Sequence, residues 1–123
     1  MEKVKILIVD DEQVVLDSCR KILEAEDYIV FFASSAVEAL AAMQTDEFSL
    51  LIIDVKMPEH DGMYLMRELN KHWPGTPVIV MSGYHTVQTI EEAQRMGAVS
   101  FIYKPFTPDE LFNSVQNALH LEK

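Results

Sequence analysis

The sequence predicts an α/β fold of five βα units built on a parallel sheet. Three observations carry that expectation. Short apolar runs rich in β-branched residues recur along the 123 residues; stretches with apolar residues at helical spacing separate them; helix-start and helix-stop residues fall at the joints. A brief, nearly continuous apolar run reads as a strand buried on both faces. Helical crossovers between such strands imply a parallel sheet covered on both sides.

The elements follow in order. Val4 to Val9 is the first strand, and Gln13 to Glu26 the first helix, with Val15, Cys19, Ile22 and Leu23 on one face. Ile29 to Phe32 is the second strand. SSAVEALAAM opens the second helix with Ser35 as N-cap and Glu38 three residues on, a capping box in which each side chain takes up a backbone donor. Leu50 to Ile53 is the third strand. Met63 to His72 is the third helix, stopped by Pro74 and Gly75. Pro77 to Met81 is the fourth strand, proline being tolerated at its first residue. Thr86 to Met96 is a helix closed by Gly97, and Val99 to Ile102 the fifth strand. Thr107, Pro108 and Glu110 start the last helix as a second capping box, and Leu111, Phe112, Val115, Ala118 and Leu119 mark its buried face. No linker, repeat or low-complexity segment interrupts the series, so residues 1–123 read as one domain.

Composition narrows the function. A formal net charge of -10 argues against a nucleic-acid surface and against an anionic membrane, and suits a divalent cation or a basic partner. Cys19 is the single cysteine, so no internal disulfide forms, as expected of a cytoplasmic protein. The start, MEKVKILIVDDE, lacks the layout of a signal peptide, and no apolar stretch approaches a membrane span.

In an open parallel sheet, ligands bind outside the carboxyl ends of the strands. The first strand delivers Asp10, Asp11 and Glu12 there, the third Asp54, the fourth Ser82 and Gly83, the fifth Lys104 and Pro105. If strands one and three are neighbours, carboxylates meet, and like charges a few ångströms apart raise one another's pKa. A hard divalent cation such as Mg²⁺ resolves that conflict. Mg²⁺ with a lysine suggests phosphate, whose oxygens both neutralise. Asp54, the acid furthest from any helix cap, is the candidate nucleophile. Asp11 or Glu12 taken singly has a plainer reading, since acids near a helix start are common.

VDDE at 9–12, DVKMPEHDG at 54–62, VMSGY at 80–84 and YKPF at 103–106 together resemble the receiver domain of two-component response regulators, over essentially the whole chain. The resemblance implies a doubly wound, flavodoxin-like three-layer sandwich with strand order 2-1-3-4-5, the order known for flavodoxin and for the chemotaxis member of this family. It implies a regulatory phosphoacceptor rather than an enzyme. Asp54 would take a phosphoryl group from a phosphohistidine on a sensor histidine kinase or phosphotransfer protein. Asp11 would be a direct Mg²⁺ ligand and Asp10 a ligand mostly through water, with Asp54 and the backbone carbonyl of Lys56 completing the protein's share; Mn²⁺ can substitute. Ser82 would turn to a phosphoryl oxygen, Gly83 would leave room over Asp54, and Lys104 would pair first with carboxylates and then with phosphate. The bond from Lys104 to Pro105 is expected to be cis.

The family's aromatic switch position falls on Phe101, which has no hydroxyl and would act by packing alone. Tyr103 is expected to point the other way, and no switch role is assigned to it. The face of the fourth helix, fifth strand and fifth helix would carry the signal, to a homodimer or to a C-terminal output domain absent from this chain. YKPF is similar to receivers attached to transcription activators, and the polar end at His120 to Lys123 reads as the edge of an N-terminal regulatory domain.

Three rivals are weaker. A flavin module would want a glycine- and hydroxyl-rich loop where DDEQ stands, and an aspartate phosphohydrolase a second acid at position 56, which is lysine. An interaction domain without phosphorylation would not need the reacting groups, all of which are present.

Overall fold

The computed structural model describes residues 3–55, 61–83 and 86–120. Its elements are β1 (Lys5–Val9), α1 (Gln13–Glu24), β2 (Ile29–Ala33), α2 (Ala36–Thr45), β3 (Leu50–Asp54), α3 (Asp61–His72), β4 (Val78–Ser82), α4 (Val87–Arg95), β5 (Ser100–Tyr103) and α5 (Pro108–His120). The strands pair in parallel throughout, in the order β2-β1-β3-β4-β5.

Strand alternation divides the core into two layers. Ile6, Ile8, Leu50, Ile52, Ile79 and Met81 face one side of the sheet. They pack there with Leu16, Cys19 and Leu23 of α1 and Leu111, Val115 and Ala118 of α5. Leu7, Val9, Leu51, Ile53, Val78 and Val80 face the other, against α2, α3 and Ala93 of α4. The central strands are apolar on both faces because helices cover both. At about 25 cal/mol per Å² of apolar surface removed from water, that burial is the main force holding the three layers.

The helix starts follow their caps. Ser35 Oγ accepts the Glu38 N–H at 3.1 Å, but Glu38 reaches one residue past the expected Ser35 donor, to the Ser34 N–H at 2.7 Å and hydroxyl at 2.9 Å. Those bonds hold the Glu38 carboxyl below its ordinary range. At α5 the box closes reciprocally: Thr107 N–H to Glu110 at 2.8 Å and Glu110 N–H to Thr107 at 3.1 Å. Gly97, just beyond α4, has φ +91, a left-handed conformation that glycine adopts without strain.

Two boundaries differ instructively from the sequence pattern. α1 stops at Glu24, two residues early, because the chain turns through Asp27 at φ 71 to enter β2. α3 starts at Asp61, so the Asp-Gly pair belongs to the first turn of a helix. A Cβ on Gly62 would lie 2.4 Å from Val55 Cα and 2.7 Å from the Asp54 carbonyl oxygen. The missing side chain thus lets α3 dock directly against the exit of β3.

Candidate functional site

The register of the sheet assembles the site. Val9 pairs with Ile53, so Asp10 and Asp54, each one residue further, leave adjacent strands side by side. Asp54 pairs with Met81, Ser82 with Tyr103, and the Lys104 N–H donates to the Ser82 carbonyl at 2.9 Å. The exits of β1, β3, β4 and β5 thus form one continuous edge. From it the Lys104 ammonium reaches back to donate to Asp10 Oδ2 at 2.7 Å, Asp54 Oδ2 at 2.9 Å and Glu12 Oε1 at 3.3 Å. Asp10, Asp54 and Ser82 are the buried polar residues among those described. The peptide between Lys104 and Pro105 is cis.

Lys104 offsets only part of the charge in this cluster. Burial lifts the Asp10 carboxyl above the ordinary aspartate range; its bonds from Lys104 and the Glu12 N–H oppose that lift, and the Asp54 charge adds to it. For Lys104, burial works against the ammonium, yet the hydrogen bonds and charges of Asp10 and Asp54 outweigh it and hold the lysine above its usual value. One ammonium offsets one of three carboxylates, leaving a deficit of two positive charges.

The donor set is chemically suited to a hard divalent cation. Asp10, Glu12 and Asp54 can each offer an oxygen within 4.8 Å of the others. An all-oxygen group with excess negative charge suits a hard divalent cation rather than a soft one. Asp11 is exposed and is not one of the three; Glu12 is. Lys56 and its carbonyl lie outside the described residues.

Gly83 is exposed, and a Cβ there would meet only the Lys104 Cβ, at 4.0 Å, so its surroundings leave room for a side chain. Phe101 packs partly buried on the α2–α3–α4 layer. Tyr103 does not point away from it. Residues two apart share a strand face, and the two rings meet edge to face with centroids 5.4 Å apart. The Cys19 thiol is buried, and burial followed by the Asp10 charge pushes its pKa up to about 12. Two surface cavities, about 550 and 580 Å³, open around Phe48 at the opposite, amino edge of the sheet and contain none of the clustered side chains.

Residues 6–116 match the family model of the response regulator receiver domain. The chain belongs to that family. This receiver domain is 36% identical over 118 residues to the regulatory protein AtoC of Escherichia coli, covering 96% of this chain and 26% of that protein. It is also 36% identical over 107 residues to the alginate biosynthesis transcriptional regulatory protein AlgB of Pseudomonas aeruginosa, covering 87% of this chain and 24% of AlgB. The receiver thus spans about a quarter of the length of these curated relatives. Among solved structures, a CheY-like receiver from Methanospirillum hungatei superimposes with a TM-score of 0.92 at 34% identity, covering 98% of this chain and 97% of that one. NtrX from Brucella abortus gives 0.93 at 34% identity, covering 98% of this chain and 28% of NtrX.

Glu12 is the residue that sequence reasoning left out of the site. Its signal was present, as the third acid leaving β1. Its position before α1 offered a local explanation, an acid favoured by the helix N-terminus. In the structure the Glu12 side chain makes no cap bond. Asp10 Oδ1 accepts the Glu12 N–H at 2.9 Å instead, and the glutamate turns to Lys104.

Proposed function

We propose that this receiver takes a phosphoryl group onto Asp54 from a phosphohistidine of a sensor histidine kinase, in a Mg²⁺-dependent reaction, and passes the change to an output domain or partner. The observation that carries this reading is the Lys104 ammonium held between Asp10 and Asp54 at 2.7 and 2.9 Å. It places a cation beside a nearly buried carboxylate oxygen that can attack phosphorus. Phosphoryl transfer asks a protein chiefly for such positioning and charge compensation.

Asp10 and Asp54 would hold the metal, with Glu12 in reach; Asp11 and the Lys56 carbonyl are the ligands the family resemblance adds. Bound there, Mg²⁺ would neutralise phosphoryl oxygens. The residues of the chain do the rest. Asp54 supplies the attacking oxygen, Lys104 shifts from carboxylate to phosphate, and the Ser82 hydroxyl turns to a phosphoryl oxygen. No described side chain is placed as a general base for water, so turnover of the adduct is slow. Phe101 would respond by repacking against Tyr103. Exposed Val87 on α4, Val99 just before β5 and Tyr103 on β5 supply an apolar surface for a dimer or an output domain. Relatives that are transcriptional regulators support an output in gene control. A cytoplasmic location fits the absence, among the described residues, of any helix long and apolar enough to cross a membrane.

The test is labelling with a small phosphodonor and Mg²⁺. Wild type gains one acid-stable, base-labile phosphate; Asp54→Ala gains none. A mutant that labels as well as wild type places the acceptor elsewhere.

A further inference from the structure

Lys104 is closed in by two buried acids and one exposed one. Its side chain is 15% exposed, those of Asp10 and Asp54 0% and 5%, and that of Glu12 63%. The Glu12 carboxylate, 3.3 Å from the ammonium, therefore stands on the solvent side of the only cation that the described residues bring to Asp54. A phosphodonor that pairs with Lys104 meets this negative charge at 3.3 Å from the ammonium. Among the three acids that pair with Lys104, Glu12 alone is exposed.

We propose that Glu12 is a specificity-determining residue that screens phosphodonors by charge, disfavouring small dianionic donors over less charged ones. The proposal rests on Asp54 being the phosphoacceptor. With acetyl phosphate, a dianion, an Asp54 oxygen forms the new O–P bond while the acetyl O–P bond breaks, and acetate leaves with the electron pair. With phosphoramidate, a monoanion whose nitrogen is already protonated, the P–N bond breaks and neutral ammonia leaves. The chemistry at Asp54 is shared, so the donors differ at the pocket mouth mainly in how strongly Glu12 repels them. At a water-like dielectric, one charge about 7 Å from another changes an equilibrium by about threefold. Glu12 then acts about threefold on a monoanion and about tenfold on a dianion, with screening reducing both in salt.

The experiment compares wild type with Glu12→Gln, which keeps size and the Glu12 backbone N–H bond to Asp10, and with Glu12→Asp, which restores the charge. With Mg²⁺ saturating for each protein, kcat/KM of Glu12→Gln at low salt rises about tenfold with acetyl phosphate and about threefold with phosphoramidate, through KM, and both gains shrink toward unity near 1 M salt. Glu12→Asp returns toward wild type. In a separate metal-free, donor-free measurement, ammonium protons of Lys104 followed by ¹⁵N NMR exchange with water several-fold faster in Glu12→Gln. Equal gains for both donors, or gains that persist in high salt, overturn the role of Glu12 while leaving phosphorylation of Asp54 standing. An unchanged exchange rate for the ammonium overturns it as well. Wild type that labels from neither donor overturns the parent reading and this proposal with it.

Discussion

Gly62→Ala sets two calculable effects against each other. Alanine is the better helix former, by about 0.8–1 kcal/mol in a helix interior and less in a first turn. Gly62 lies in the first turn of α3. The new methyl, however, would lie 2.4 Å from Val55 Cα, 2.7 Å from the Asp54 carbonyl oxygen and 3.1 Å from the Val55 carbonyl carbon. Comfortable carbon–carbon contact begins at roughly 3.5 Å, so something must retreat by about 1 Å. All three neighbours are backbone atoms and none can rotate away. Overpacking of this kind typically costs about 1–3 kcal/mol, which exceeds the propensity gain. The expected net loss is about 1–2 kcal/mol. Urea denaturation should show it as a lower midpoint at unchanged slope. The displaced atoms bracket Asp54, so stabilisation by added Mg²⁺ should weaken in the same variant. If Gly62→Ala is as stable as wild type, the close docking of α3 on the β3 exit is wrong.

Other expectations follow from the same geometry. Millimolar Mg²⁺ should raise the thermal midpoint of wild type but not of Asp54→Asn, measured calorimetrically with and without chelator, because binding to the folded state alone is stabilising. Glu38→Gln should cost a few tenths of a kcal/mol near neutral pH, the carboxylate being exposed. The folded Glu38 pKa is lowered, so its contribution is present above the unfolded value and fades as pH falls through the folded one; the two proteins should converge in stability once the pH is below the folded value. Cys19, buried with its thiol pKa near 12, should resist iodoacetamide at pH 8 in the native protein and react in urea. Rapid native alkylation would contradict its place in the core.

Much of the fold was legible because its signals are local. The Ser35–Glu38 and Thr107–Glu110 caps, the five apolar runs and the glycine after α4 each depend on residues within a few positions of one another. Asp10, Asp54 and Lys104 could be found because each is the first charged residue after a run that reads as a buried strand. Glu12 was passed over because a helix start explains an acid equally well. Tyr103 was judged to oppose Phe101, although two-residue periodicity on β5 puts the two rings on one face. The closeness of Gly62 to Val55 is invisible in DVKMPEHDG, because it arises from how a helix docks rather than from turn chemistry.

Short-range periodicity thus made this chain an alternation of strands and helices, with acids, a hydroxyl and a lysine where strands end. Which of those groups touch was settled by pairing between distant segments: β1 beside β3, β3 beside β4, β4 beside β5. Only that register brings Lys104 within 2.7 Å of Asp10, 94 positions earlier in the chain. Hydrogen-bonded register and helix docking act through space, so no local pattern encodes whether Asp11 or Glu12 faces the ammonium.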